Sequence, residues 1–165
     1  MELTFDLSGF SAYEAALVRL IAMLRDLRPF WPRLQPLYAE WVREQFGTEG
    51  EYLLGHGWEP LSEDYMAWKM QHYPGKGILY ATGQLYGQVT RPRRVATPTT
   101  LIWYVDPFPR REGTTMDPAW FQEGTDRMPQ RAIFPEELLP RQRAEVEAAA
   151  ELWIDEMAAK LGLHG

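Results

Sequence analysis

The feature that most limits the possible folds is a long helical pattern near the C-terminus. Apolar side chains recur there at intervals of three and four residues, at Val146, Ala150, Trp153, Met157 and Leu161. Such a stripe is the apolar face of an amphipathic helix, and Gly162 directly after it is suited to end that helix. We expect the stripe to be buried within the same chain, and a contact between like subunits is the alternative.

The N-terminal part of the chain predicts a strand followed by a helix. Residues 3–7 alternate apolar and polar side chains, which is typical of a half-buried strand, and Ser8-Gly9 is expected to turn the chain. Ser11 and Glu14 have the spacing of a capping box, which predicts a helix over residues 12–27. Its apolar positions are Tyr13, Leu17, Leu20, Ile21, Leu24 and Leu27.

Prolines and glycines divide the next part of the chain. A second helix is expected to begin near Pro36, because proline is tolerated only in the first turn of a helix, and to end at Gly47 and Gly50. Its apolar face carries Leu37, Trp41, Val42 and Phe46. Residues 51–57 are predicted to form a loop. Ser62 is a suitable N-cap for a third helix that ends near Tyr73.

The second half of the chain contains shorter signals. Thr82 is suited to cap a fourth short helix over residues 84–89, and the basic, proline-containing residues 91–98 predict an exposed connection or hairpin tip. Residues 99–105 are rich in β-branched and aromatic side chains, which favour a strand. Residues 106–115 are predicted to be a loop. Asp117-Pro118 then predicts a helical turn through Phe121.

The order of these elements predicts the fold class. Strand, helices, strands and a final helix follow one another without a regular strand–helix alternation, which favours an α+β fold over a doubly wound one. We therefore expect one domain over residues 1–165, with a small antiparallel sheet packed against helices and a long C-terminal helix. A chain of 165 residues with 45% hydrophobic residues is large enough to form such a core.

Composition narrows the function. The chain has no cysteine, which excludes disulfides and cysteine-ligated metals. Its net charge of −6 argues against a general nucleic-acid binder. The first ten residues lack the basic lead and apolar segment of a signal peptide, and no apolar run approaches the roughly 20 residues that span a bilayer. We expect a protein made in the cytoplasm that has no membrane partner.

The most informative segment is residues 57–85. It contains the pattern Trp-x-Pro-Leu-Ser-x-x-Tyr-x-x-x-Lys, followed by Ile-Leu-x-x-Thr-Gly-x-Leu. The residues that carry it are Trp58, Pro60, Leu61, Ser62, Tyr65, Lys69, Thr82, Gly83 and Leu85. By spacing alone, Tyr65, Trp68 and Lys69 share one face of the helix that Ser62 begins.

A second block lies downstream, in residues 121–134. Its characteristic residues are Gln122, Gly124, Pro129 and Arg131. Together the two blocks resemble the phage virion-morphogenesis family, which includes tail-completion proteins of contractile-tailed and Mu-like phages. The family often has a histidine just before the glutamine and a proline after the arginine, where this chain has Phe121 and Ala132.

The resemblance implies a structural protein of the virion, with no catalytic residue, metal or cofactor. It would lie at the neck or tail end, complete the tail and join it to the head. Its partners would be other neck and tail proteins, such as a tail terminator and a head–tail connector, and like copies arranged as a ring. DNA would be contacted at most transiently, through a lumen. The motif residues are expected to build a core, and a contact with a neighbouring subunit is the alternative.

No constellation in the sequence indicates catalysis. His56, His72 and His164 lie far apart, without the spacing of a metal site, and Ser62 near Asp64 has no base beside it. The acidic runs around Glu63 and Glu136 are expected to lie on polar helix faces. A phage-encoded hydrolase would need two of these carboxylates to face each other across a cleft.

Arginines are concentrated in two short segments. Arg91, Arg93 and Arg94 form one group, and Arg110 and Arg111 form the other. We expect them to contact a protein partner or to lie in a solvated loop. An adaptor or nucleic-acid-binding protein is the second alternative to a virion component.

Overall fold

The computed structural model describes residues 8–109, 113–126 and 128–163. Within them lie seven α-helices: α1 (Ser8–Leu24), α2 (Leu34–Gly47), α3 (Glu51–Leu54), α4 (Glu63–His72), α5 (Gln84–Thr90), α6 (Ala119–Glu123) and α7 (Pro140–Lys160). A 3₁₀ turn over Trp31–Arg33 leads directly into α2. The strand predicted for residues 3–7 and the arginines at 110 and 111 lie outside the described residues.

The strands form two small antiparallel sheets. β1 (Arg93–Ala96) pairs with β2 (Leu101–Tyr104), and β3 (Phe108–Pro109) pairs with β4 (Thr115–Met116). The predicted mixture of helices with antiparallel strands and a long C-terminal helix is confirmed, with two two-stranded sheets in place of one. No helix in the described ranges is long and apolar enough to cross a membrane.

The C-terminal helix α7 buries its stripe within the chain, as predicted. Trp153 and Met157 form a core cluster with Phe30 and Leu34, and the rings of Phe30 and Trp153 lie 5.4 Å apart. Gly162 ends the helix with a φ of +73°, a conformation that side chains disfavour. The intramolecular interpretation of the stripe is therefore confirmed.

The main core lies between α2, α5 and the segment before α7. Its buried residues are Tyr38, Trp41, Val42, Phe46, Trp58, Ile78, Leu85, Val89, Phe108, Phe121 and Ile133. The predicted apolar face of α2 is confirmed at Trp41, Val42 and Phe46, whereas Leu37 is only partly buried. α4 and α5 also occupy the predicted ranges. The N-cap residue of α6 is Pro118 rather than Asp117, although the Asp117 Oδ1 accepts from the Ala119 N–H at 2.9 Å.

The prediction for the start of α1 was wrong. Ser8 and Gly9 are part of the helix rather than a turn, and Ser11 lies inside it, so Ser11 does not act as an N-cap. Leu20 and Leu24 pack against the second core cluster. The apolar positions of α1 at 13, 17 and 21 stay exposed, because α7 and the 3₁₀ turn cover only one side of the helix.

Two predicted loops contain short regular elements. Residues 51–54 form α3 rather than a loop, and the Thr48 Oγ1 accepts from the Tyr52 N–H at 3.0 Å in its first turn. Residues 106–115 contain β3 and the start of β4, where Phe108 pairs with Met116. Elements of two to four residues are too short to produce a periodic pattern, so tertiary contacts decide them.

The tip of the β1–β2 hairpin, which follows α5, lies against the segment after α1. All four residues of β1 are exposed, which confirms the exposure predicted for residues 91–98. Residues 93–96 form a strand of the hairpin, and the hairpin tip lies at residues 97–100. Trp31 Nε1 donates to the Thr97 carbonyl at 2.8 Å, and the Leu27 N–H donates to the Pro98 carbonyl at 2.8 Å. These bonds fix the hairpin tip against the body.

Candidate functional site

Trp58, the first motif residue, connects α2 to the downstream block. Its ring is buried and meets Phe46 edge-on, with 5.5 Å between ring centroids. Its Nε1 donates to the Ala132 carbonyl at 3.0 Å, which also accepts from Gln45 Nε2 at 2.7 Å. The Ala132 carbonyl thus accepts hydrogen bonds from both Gln45 and Trp58. Because Ala132 belongs to the second motif block, these bonds join α2 and the first block to the second.

Gly50 makes room for this tryptophan. Its φ is +105°, and a Cβ at this position would lie 2.6 Å from Trp58 Cδ1. Real Cβ atoms are not found this close to another heavy atom. Gly50 is therefore needed for packing as well as for the end of the preceding turn, a role that its neighbours in the sequence do not indicate.

Arg131 joins the two motif blocks directly. Only 4% of its surface is exposed. Its Nε and Nη2 donate to the Glu59 carbonyl at 3.1 and 2.9 Å, and Nη2 also reaches the Pro60 carbonyl at 3.2 Å. Burial lowers the pKa of Arg131, and nearby Glu59 opposes the shift. Arginine remains charged in proteins, so a buried cation holds the segment that leads into α4.

Lys69 is a second buried cation, on the inner side of α4. Only 3% of its surface is exposed, and its Nζ donates to the Gly77 carbonyl. Burial lowers the pKa of Lys69, whereas Glu49 raises it. Glu49 in turn accepts from the Ile78 N–H at 2.8 Å. Lys69 and Glu49 therefore hold neighbouring backbone groups of the loop after α4.

The backbone is strained at Glu49 and in the loop that Lys69 and Glu49 hold. Glu49 has a φ of +48° and Leu79 a φ of +59°. For residues other than glycine, such left-handed conformations cost roughly 1–3 kcal/mol each and persist only where the surroundings impose them. The bonds made by Lys69 and Glu49 supply that constraint.

Gln122 holds the downstream block together. Its Oε1 accepts from the N–H groups of Ile133 and Phe134 at 2.9 and 3.0 Å, and its Nε2 donates to the Phe134 carbonyl at 2.7 Å. Gly124 has a φ of +78°, and a Cβ there would lie 2.9 Å from the backbone nitrogen of Gln130. The sequence Gln-x-Gly therefore brings Gln130 back against α6, where its Nε2 donates to the Gln122 carbonyl at 2.9 Å.

The remaining motif residues position helices. Thr82 Oγ1 accepts from the Gln84 N–H at 3.3 Å, Gly83 precedes α5 with a φ of +81°, and Leu85 is buried in the main core. Leu61 packs against the same core, whereas Pro129 is exposed.

Ser62 is the N-cap residue of α4, as predicted. Its side chain makes no capping hydrogen bond, so the predicted bond from this serine is wrong.

We call Trp58, Lys69, Gln122 and Arg131 the motif frame. All four side chains bind backbone groups of other segments. The prediction that the first block builds a core is confirmed for Trp58 and Lys69, which are buried. Arg131 of the second block is buried as well, whereas Gln122 is half-buried. The structure adds Gln45, Glu49 and Gly50, which sequence reasoning missed. Gln45 was the most detectable of them, because it is a polar residue on the apolar face of α2.

The outer side of α4 carries exposed aromatic rings. Tyr65 stacks on Trp68 with centroids 5.4 Å apart, and Trp68 stacks on His72 at 4.5 Å. We call these three residues the aromatic ladder. Trp68 is 43% exposed, and Met66 and Met70 beside it are exposed as well. The expectation of one shared face holds for Tyr65 and Trp68, but Lys69 points inward to the motif frame.

The described residues also include a basic depression of about 620 Å³ beside the hairpin. It is lined by Gln35, Arg91, Pro92, Arg93, Arg94 and Tyr104. Arg93 is paired with Asp106 at 2.7 Å. Arg91 and Arg94 have no ion-pair partner among the described residues, so this surface is suited to bind an anionic group.

The described ranges contain no cluster of three histidine or acidic side chains that could hold a metal ion. His72 belongs to the aromatic ladder, and its Nδ1 lies 2.7 Å from the Trp68 carbonyl oxygen, which accepts the hydrogen bond. His56 bonds to the Gly57 carbonyl at 2.9 Å. Both of these histidines therefore bond to a nearby backbone carbonyl.

No family model matches this chain, and the searches of curated proteins and of solved structures also find no match.

Proposed function

We propose that this chain is a structural virion protein of a tailed phage, placed at the neck or tail end, where it completes the tail and joins it to the head by protein–protein binding. The observation that carries the proposal is the arrangement of α4. On its inner side the buried Lys69 of the motif frame bonds to the Gly77 carbonyl in the loop after α4, while its outer side presents the aromatic ladder to solvent.

An exposed aromatic stack on a rigid support is typical of a docking surface. Tyrosine, tryptophan and methionine are enriched in protein interfaces, and a few aromatic anchors carry most of the binding energy there. Trp68 stands at the centre of the ladder between Tyr65 and His72, with Met70 beside it. Because the motif frame fixes α4, little conformational entropy is lost when a partner covers these rings.

The proposed partners are other neck and tail proteins, such as a tail terminator or a head–tail connector, and like copies in a ring. A ring requires a head-to-tail contact between different surfaces of neighbouring copies. The aromatic ladder is suited to one side of such a contact. The role proposed here involves no catalytic group, since the polar side chains of the motif frame are bonded to backbone groups.

The test is incorporation of the protein into particles. In a phage strain that lacks the native copy, we expect the wild-type chain to restore infectious particles and to be found at the head–tail junction by immunogold labelling. Trp68→Ala is expected to reduce its incorporation at least tenfold. Trp120→Ala is the matched control, because Trp120 lies on α6 and is exposed to the same extent, 44% against 43%.

Two results would contradict the proposal. Absence of the wild-type chain from purified particles would exclude a virion role. Equal incorporation of the Trp68 and Trp120 variants would show that docking does not use the aromatic ladder.

One alternative has a specific observation in its favour. The basic depression is lined by Arg91 and Arg94, which have no ion-pair partner in the part of the chain that the structure describes, as a nucleic-acid-binding adaptor would require. A net charge of −6 opposes this function. DNA affinity that falls steeply with salt concentration, and that is lost on replacing both arginines, would favour the alternative.

A further inference from the structure

The most exposed apolar surface on a long helix lies on α1. Val18 and Ile21 are 61% and 54% exposed, and Tyr13 and Leu17 beside them are exposed as well. Single exposed apolar residues are ordinary, but a contiguous stripe marks an interaction surface. This stripe lies apart from α4 in the sequence.

A glutamate and an arginine flank the exposed apolar stripe of α1 at helical spacing. Glu14, Val18, Ile21 and Arg25 follow one another at intervals of four, three and four residues, as in a coiled-coil seam. Arg25 is the first residue after α1, and its N–H still donates to the Ile21 carbonyl at 3.2 Å, so it continues the same side of the helix. All four are exposed. We call them the α1 seam. Neither Glu14 nor Arg25 has an ion-pair partner among the described residues.

The seam is complementary to itself when it is reversed. If a second copy is laid antiparallel on the first, Val18 meets Ile21 of the second copy, and Glu14 meets its Arg25. A parallel arrangement would instead bring glutamate against glutamate and arginine against arginine. A surface that matches itself under a twofold axis is what an isologous dimer interface requires.

We infer that α1 pairs with α1 of a second copy of this chain, antiparallel, about a twofold axis that passes between Val18 and Ile21. The apolar centre supplies the burial, and the two Glu14–Arg25 pairs at the ends set the direction. The charged ends are about 16 Å apart along the helix, so the contact is short. Interfaces of small area are weak and transient, and the dimer therefore forms in a concentration-dependent way. This pairing does not depend on the proposed role in the virion.

Charge reversal tests the pairing. We expect the purified wild-type protein to show a reversible monomer–dimer equilibrium in sedimentation equilibrium. Glu14→Arg makes both end pairs repulsive at once, and so does Arg25→Glu. Each single variant should weaken dimerisation about tenfold or more, because two favourable pairs become two unfavourable ones. The double variant, with both charges exchanged, should return to within about threefold of wild type.

A mixture gives the sharpest result. The Glu14→Arg variant has arginine at both ends of the α1 seam, and the Arg25→Glu variant has glutamate at both ends. An equimolar mixture of the two should therefore form a heterodimer more tightly than either variant dimerises alone. Glu137→Arg and Arg143→Glu are the matched controls, because both residues are exposed and unpaired among the described residues. Circular dichroism checks that every variant is folded.

The inference is overturned by any of three results. The wild-type chain remains monomeric at the highest concentration reached, the seam variants dimerise no more weakly than their controls, or the mixture fails to form heterodimers.

Discussion

Replacing Arg131 with methionine tests the motif frame most directly. The Arg131 side chain is buried and donates hydrogen bonds to the Glu59 and Pro60 carbonyls, which belong to the segment before α4. Methionine has a similar length and an apolar stem, so it can fill most of the same space. The loss therefore falls mainly on the hydrogen bonds and on the charge.

The magnitude follows from the bonds that are lost. A hydrogen bond from a charged donor contributes about 1.5–3 kcal/mol, so two bound carbonyls correspond to about 3–6 kcal/mol before any compensation. Removing the guanidinium also relieves the desolvation penalty of a buried ion, which offsets part of this loss. We expect Arg131→Met to lower the free energy of unfolding by about 2–4 kcal/mol. Arg131→Lys keeps the charge but loses the fork of donors, so its effect should be about half as large.

The assay is urea denaturation followed by tryptophan fluorescence. With a denaturant dependence of about 2 kcal/mol per molar urea, the Arg131→Met midpoint should fall by about 1–2 M. Arg143→Met is the control, since Arg143 is exposed on α7, and a surface change of this kind stays within about 0.5 kcal/mol. If the Arg131 and Arg143 variants unfold at the same urea concentration, the buried cation does not hold the two motif blocks together.

Two further predictions concern glycines and a buried tyrosine. Gly50→Ala should lower the free energy of unfolding by about 3 kcal/mol or more, because the new Cβ would clash with Trp58 and residue 50 has a left-handed backbone conformation. Gly87→Ala within α5, where the space is open, should instead raise the free energy of unfolding by about 0.5–1 kcal/mol. Equal melting temperatures of the two variants would contradict both expectations. Burial raises the pKa of Tyr38 in the folded chain. Above about pH 10 the unfolded chain releases the tyrosine proton while the folded chain keeps it. The folded state therefore loses stability as the pH rises above this value. At pH 7, Tyr38→Phe should lower the free energy of unfolding by about 1 kcal/mol, because it removes the 2.9 Å hydrogen bond to the Val89 carbonyl. Between about pH 9 and 11 the variant should lose less stability than the wild type, because phenylalanine has no proton to release. Parallel pH profiles of stability would contradict this expectation.

Residues close together in the sequence were sufficient to predict the helices α2, α4, α5 and α7. A helix face repeats every three to four residues, and its ends are marked by capping residues and glycines, so both signals lie within a few residues of each other. Gly162 illustrates this, because its position directly after the α7 stripe was enough to predict the end of that helix. The α+β class followed from the order of such local signals.

Which face of a helix is buried depended on distant segments. The apolar positions of α1 resemble those of α2 in spacing, yet Tyr13 and Ile21 are exposed while Trp41 and Phe46 are buried. The difference arises because α5 and residues 131–134 cover α2, whereas α1 packs against a core cluster through Leu20 and Leu24. The spacing of apolar residues in the sequence indicates that a helix has an apolar face, but it does not indicate which segment covers that face.

The sequence by itself determined that the two motif blocks would fold into helices and turns, because capping residues, prolines and glycines act on their immediate neighbours. Only the tertiary structure decided that Arg131 and Lys69 would be buried as cations, with Trp68 left at the surface beside them. A charged side chain can be buried only where acceptors meet it, and the carbonyls of Glu59 and Gly77 come from segments that approach these cations only in the folded chain.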